Sequence, residues 1–341
     1  MYKVIQQMPK VDLHCHLDGS VSPRTLAQIA RQQQLPLPEG GEPALLAQMQ
    51  AGEDCRDLLD YLKRFDFVLP YLQTTQALRQ ATFDLVAQAA AEQVRYLEVR
   101  FAPRLHLNRG LSPRQAVQAV CQGLAEGQKT TGTVARAILI GMRHEPAQNN
   151  LALVSLAAEF AAQGVVAVDI AGDEKNFPPM TQRPLFEAAA EKGVAFTIHA
   201  GENGPVSNIR DAVQLGAARI GHGIRLRDDP ALLRLVKQKG IGIEMCPTSN
   251  IQTRAVAGWQ DYPVAEYLAA GLLVSINTDN RTVSGTTSTA EYTILAEKFA
   301  FTPAMLAQVV RGSLATAFLP EDEKAALTAK VETELADLGL T

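Results

Sequence analysis

The chain has 341 residues, 47% of them hydrophobic and 20% charged, with a formal net charge of -4. This is a globular composition, long enough for one large α/β unit, and without any Lys/Arg cluster it argues against nucleic acid or an anionic membrane surface as a partner. The opening MYKVIQQMPK lacks the apolar run of a signal peptide, no stretch has the unbroken apolar length of a membrane span, and the four Cys, at 15, 55, 121 and 246, form no CxxC pair, so a reducing cytoplasm is the expected location.

In chain order the candidate strands begin with VDLHCH (11–16), VRYLEVRFAP (94–103), ARAILIGM (135–142) and VVAVDIAG (165–172). They continue with VAFTIHAGE (194–202), RIGHG (219–223), IGIEMCPTSN (241–250) and LLVSINTDN (272–280). Helix-like segments lie between them, among them SPRQAVQAVCQGLAEGQ (112–128), PLFEAAAEKG (184–193) and DPALLRLVKQKG (229–240); the last two end on Gly, which favours the position just past a helix. Regular strand–helix alternation argues for parallel β/α units, and eight of them argue for a closed (β/α)8 barrel. A doubly wound open sheet is the alternative, but neither GxGxxG nor GxxxxGK[ST] is present. No linker or low-complexity tract divides the chain, so residues 1–341 are read as a single barrel domain with further helices at the C-terminus.

The first crossover is oversized, at about 75 residues where one helix would suffice. Within it, CRDLLDYLKRFDFVLPYLQ (55–73) is rich in Leu, Tyr and Phe. These residues form either packed extra helices or a lid across the barrel mouth. The lid is favoured because it leaves from the C-terminal end of the first strand, and the insertion is placed at about 35–90.

Four of the six His, at 14, 16, 199 and 222, fall at or near strand C-termini, where a barrel gathers its active-site residues. In a strand His14 and His16 point to the same side and can share a metal ion. With His199 and Asp279 at other strand ends they make three imidazoles and a carboxylate, a set suited to zinc, although it does not exclude iron, cobalt or manganese. Glu202, three residues past His199, is a candidate general acid if burial raises its pKa, against the alternative of a first-turn helix carboxylate. His222, between two glycines, is read as a base or positioner for the attacking water rather than a further ligand. CPTSN (246–250) is read as a capping turn in preference to support for the ligands, and Cys246 as a buried apolar residue. His106 and His144 are read as ordinary residues, and HEPAQ (144–148) is not HExxH.

Together HCHLDGS (14–20), AGDE (171–174), HAGE (199–202), RIGHG (219–223), CPTSNIQT (246–253) and SINTDN (275–280) resemble the adenosine deaminase family, and the match runs through nearly the whole chain. The resemblance implies a (β/α)8 barrel with extra helices over its mouth and one zinc ion per chain. The implied reaction is hydrolytic deamination of adenosine and 2′-deoxyadenosine to inosine-type products and ammonia, in purine salvage. By matching motif positions it implies His14, His16, His199 and Asp279 as zinc ligands, with His16 also bordering the substrate. Glu202 becomes the proton donor to purine N1 and His222 the His beside the attacking water. Asp18 contacts a ribose hydroxyl, Gly172 offers a backbone contact to the base, and Leu58, Tyr61, Leu62 and Phe65 form the apolar lid.

The chain departs from the family pattern at Asn280, where the family carries Asp, and at Arg281, where Pro is common. Asn280 can donate to purine N7 at any pH, which a carboxyl group can do only when protonated. Three rivals remain at this level, one of them a generic amidohydrolase cleaving amides or esters, against which the purine-contact residues argue. Another is a deaminase of another 6-aminopurine such as adenine, against which Asp18 argues because adenine-type relatives tend to carry Glu there. The third is a catalytically silent nucleoside-binding protein, against which the joint presence of Glu202 and His222 argues.

Overall fold

The computed structural model describes residues 1–52 and 54–340. Eight parallel strands follow one another in order around a barrel: β1 Lys10–His16, β2 Val94–Phe101, β3 Val134–Met142, β4 Val165–Ala171, β5 Ala195–Ala200, β6 Arg219–His222, β7 Gly242–Met245 and β8 Leu273–Ile276. The ring closes where the chain beyond β8 joins β1: Asp279 N–H donates to His14 O at 2.8 Å and His16 N–H donates to Asp279 O at 2.6 Å. Closure therefore runs through three of the residues expected to bind a metal, His14, His16 and Asp279.

The first crossover folds into α1 (Pro23–Gln32), α2 (Gly41–Met49), α3 (Leu58–Val68) and α4 (Thr75–Ala91). The sequence starts these helices by capping: the side chains of Ser22, Asp57 and Thr74 each accept a backbone N–H from the following first turn. α5 (Pro113–Thr131) begins with a full capping box, Ser112 with Gln115. The predicted helices 184–193 and 229–240 appear as α6 (Arg183–Glu191) and α7 (Pro230–Lys239). The chain then adds α8 (Pro247–Gln252), α9 (Ser288–Phe299), α10 (Pro303–Thr316) and α11 (Glu321–Asp337), which include the expected C-terminal helices.

Two strand predictions were too long. Residues 247–250, expected to continue β7, instead start α8, because Pro247 has no N–H for a sheet ladder but suits a first helical turn. Likewise β8 ends at Ile276, and beyond it Asp279 keeps only an isolated bridge to Cys15 of β1.

Inside the barrel a run of buried charges replaces part of the apolar filling. Arg219 bonds both Glu98 and Glu244, and Arg100 donates to Glu244 Oε2 at 2.9 Å and to Asp169 Oδ2 at 2.8 Å. These side chains come from β2, β4, β6 and β7, so they meet only by pointing inward. Each charge faces an opposite one, which offsets the cost of taking it from water.

Candidate active site

Period-two alternation on β1 sends His14 and His16 to the barrel interior, as expected. Gly221 lets the rings close up: a Cβ there would stand 3.1 Å from His199 Cα and 3.2 Å from His14 Cε1. His16 Nε2 lies 3.3 Å from His199 Nε2 and 3.3 Å from Asp279 Oδ1, and His14 Nε2 lies 3.4 Å from the same carboxylate oxygen. The His16 and His199 nitrogens stand within hydrogen-bond distance of one another, whereas His14 Nε2 is buried without a hydrogen-bond partner among the described residues. A tetrahedral ion at ~2.1 Å from its ligands sets them about 3.4 Å apart. The four side chains fit a metal ion.

The far sides of the His14 and His199 rings are held. His14 Nδ1–H donates to Glu244 Oε2 at 2.8 Å, and His199 Nδ1 lies 2.8 Å from Asp169 Oδ2, a close ion-pair contact whose angle falls short of a hydrogen bond. A carboxylate behind Nδ1 puts the ring proton there and leaves the Nε2 lone pair free for a cation. Burial opposes ionisation of Asp279, but the facing rings of His14 and His16 prevail and hold its carboxyl well below the usual range. Asp279 and His222 both adopt positive φ, 56° and 62°, conformations that non-glycine residues take at a cost and that the barrel rim enforces.

Glu202 sits beside this group, with its Oε2 3.5 Å from His222 Nε2. Burial, then the negative charges of Asp279 and Glu174, push its carboxyl well above the usual range, so it keeps a proton. The HAGE turn that presents it is fastened by Glu174, whose carboxylate accepts the backbone N–H groups of Gly201 at 2.6 Å and of Glu202, Asn203 and Gly204 at 3.0 Å. Burial also lowers the pKa of His222 well below its ordinary value.

A cavity of about 280 Å³ opens over these residues, close to the lower end of the ~300–1,000 Å³ usual for small-molecule sites. His16, Asp18, Gly172, His199, Glu202, His222, Asp279 and Asn280 all line it, as do Leu58, Tyr61, Leu62 and Phe65 of α3. No Lys or Arg is among its lining residues. Asp18 is buried, and burial raises its carboxyl to about 6 against the pull of the Asp18 and Gly19 backbone N–H groups. Asn280 packs its Oδ1 against Gly19, where a Cβ would stand 1.9 Å away. α3 is tied to the segment that carries Asn280 by the hydroxyls of Tyr61 and Ser284, 2.6 Å apart.

Several readings need correction. His144, taken as ordinary, lines the cavity from just beyond β3. CPTSN does more than cap: Asn250 Nδ2 lies 2.9 Å from His222 Nδ1. Cys246 is buried and its Sγ comes within 4.8 Å of potential ligand atoms of His14 and Asp279. Its thiol turns to Glu244 O at 3.7 Å, and burial raises its pKa well above the ordinary value. Glu244, Asp169 and Arg100 were missed; the available signal was a charged residue inside an apolar strand.

A family model described as adenosine deaminase matches residues 9–334. An adenosine deaminase of Enterococcus faecalis is 48% identical over 328 residues, covering 96% of this chain and 97% of that one. An adenosine deaminase of Lacticaseibacillus paracasei is 40% identical, covering 98% of each. Among solved structures, an adenine deaminase from Arthrobacter aurescens superposes with a TM-score of 0.88 at 27% identity, covering 96% of this chain and 99% of that one.

Proposed function

The chain belongs to the adenosine deaminase family, and from that premise we propose that it hydrolyses adenosine, and 2′-deoxyadenosine, to the 6-oxo nucleoside and ammonia. The observation that carries this reading is a buried Glu202, its carboxyl pushed well above the usual range, beside a cluster of converging imidazole nitrogens at the floor of a cavity sized for a small molecule. His14, His16, His199 and Asp279 would hold one Zn2+, the ion that best suits three neutral imidazoles and a carboxylate. When bound, such an ion supplies Lewis acidity that makes water a nucleophile near neutral pH.

The protein's own groups do the rest. Glu202 gives its proton to purine N1 as the water oxygen bonds to C6, so the ring accepts a tetrahedral carbon there. The C6–N6 bond then breaks, one proton of the attacking water going to N6, which leaves as ammonia, and the other restoring Glu202. His222 faces the attacking oxygen, and Asp279 orients it. Asp18 holds a ribose hydroxyl, the Gly172 backbone meets the base, and Asn280 donates to N7. Residues 1–341 act as one unit in which the 35–90 insertion covers the bound base through Leu58, Tyr61, Leu62 and Phe65. The absence of Lys and Arg from the cavity lining supports a neutral nucleoside over a phosphorylated one. The free thiols of all four Cys support a reducing compartment such as the cytoplasm, and a salvage role follows from the reaction class.

Zinc-loaded protein mixed separately with adenosine, adenine and adenosine 5′-phosphate, followed by the ultraviolet change at C6, tests the proposal. Turnover led by adenosine supports it, turnover led by adenine moves the substrate, and no turnover with metal bound favours a silent binding protein.

A further inference from the structure

Asn250 touches His222, an imidazole of the cluster with an amide and no carboxylate against its Nδ1. Its Nδ2 stands 2.9 Å from His222 Nδ1, and its Oδ1 accepts the Tyr262 hydroxyl at 3.3 Å. Asn250 is fully buried, and Tyr262 nearly so. The –NH2 end of the amide must then face the ring, because an amide donates only from nitrogen. A donor opposite Nδ1 requires Nδ1 to be the acceptor nitrogen, and an imidazolium, which donates from both nitrogens, cannot make this contact. The single ring proton therefore sits on Nε2, the atom that looks into the site 3.5 Å from Glu202 Oε2.

We infer that Asn250 and Tyr262 are positioning residues that lock His222 in the Nε2–H tautomer, so that His222 serves the reaction as a hydrogen-bond donor to the attacking oxygen and not as its base. The identity of that oxygen rests on the deaminase reading; the tautomer does not. The contrast with the neighbouring rings supports the assignment. Glu244 and Asp169 stand behind the Nδ1 atoms of His14 and His199, place the proton there, and free Nε2 for a cation. An amide behind His222 does the reverse. His222 thus presents a donor and not a lone pair on Nε2, although its ring lies within ligand reach of His14 and His199. α8 is itself fixed, since the Thr248 N–H donates to Glu291 Oε2 at 3.2 Å.

The test is a ring-nitrogen NMR spectrum of the zinc-loaded protein labelled with ¹⁵N-histidine, with His222 assigned from the signal lost in His222→Gln. The expected spectrum shows His222 Nδ1 as the unprotonated and Nε2 as the protonated nitrogen. In Asn250→Asp the new carboxylate would accept from Nδ1–H, inverting the pattern; kcat should fall by roughly 100-fold or more with KM changed far less. If that variant does not fold, Tyr262→Phe, which frees the amide to turn over, should show both tautomers of His222. A protonated Nδ1 in the wild-type spectrum overturns the inference and restores the base role, whatever the activity. A protein inactive on every purine but carrying the Nε2–H tautomer would sink the deaminase reading while upholding the lock.

Discussion

His14 Nδ1 and Glu244 Oε2 meet at 2.8 Å with both side chains sealed from solvent. That contact joins the metal-binding ring to the charged interior of the barrel, because Glu244 also receives Arg100 and Arg219. Glu244→Gln removes the charge behind His14 and leaves two buried guanidinium groups short of an anion. Zinc affinity should fall roughly 10–100-fold in chelator competition. The apoprotein should also lose on the order of 3 kcal/mol in denaturant unfolding. Unchanged affinity would show that the ring is oriented by something else.

Glu202→Gln keeps the shape of the side chain but cannot give a proton. Metal content should stay at the wild-type level while kcat drops by ~10²–10⁴. In the wild type the acid must be protonated to work, and its pKa is raised by burial, so the loss of activity due to Glu202 should come on the alkaline side, above the ordinary carboxylate range. A pH–rate profile that falls in step with an unperturbed Glu would contradict this.

Asn280 and Gly19 form a second pair. Asn280→Ala should lower kcat/KM for adenosine by roughly 5–100-fold, the cost of an unmatched N7 acceptor. Gly19→Ala should do the same with Asn280 still present, because the added methyl takes the space of its amide oxygen. Full activity in Asn280→Ala would remove the N7 role.

Glu291 is buried away from the chemistry, and burial raises its carboxyl to about 7, opposed by hydrogen bonds from Thr248 and Thr286. A raised folded-state pKa means the folded protein binds the proton more tightly than the unfolded chain. The associated stability is complete below about 4.5 and is lost as pH climbs through about 7, amounting to about 3 kcal/mol in all. Urea unfolding of wild type and Glu291→Gln across that range should show the slope in the first and its loss in the second.

Much of this site is written in local sequence. His14 and His16 share a face because strands alternate, and HAGE and RIGHG end strands whose apolar runs are easy to see. Other parts are not local. Asn250 reaches His222 only because Pro247 ends β7 and turns the chain into α8, and no spacing between positions 222 and 250 announces that meeting. His144 follows β3 by two residues, so attention to strand ends could have included it. Glu244, Asp169 and Arg100 were absorbed into apolar runs, although a charge inside a buried strand demands a partner. That the partners are one another, and the backs of two His rings, emerges only when the barrel closes.

The most direct measurement is to run the zinc-loaded protein on adenosine in ¹⁸O-labelled water and weigh the product. The account predicts inosine carrying one ¹⁸O at C6, with one ammonia released per nucleoside consumed. Adenosine recovered intact, or cleaved to free base and sugar with its amino group retained, would contradict it.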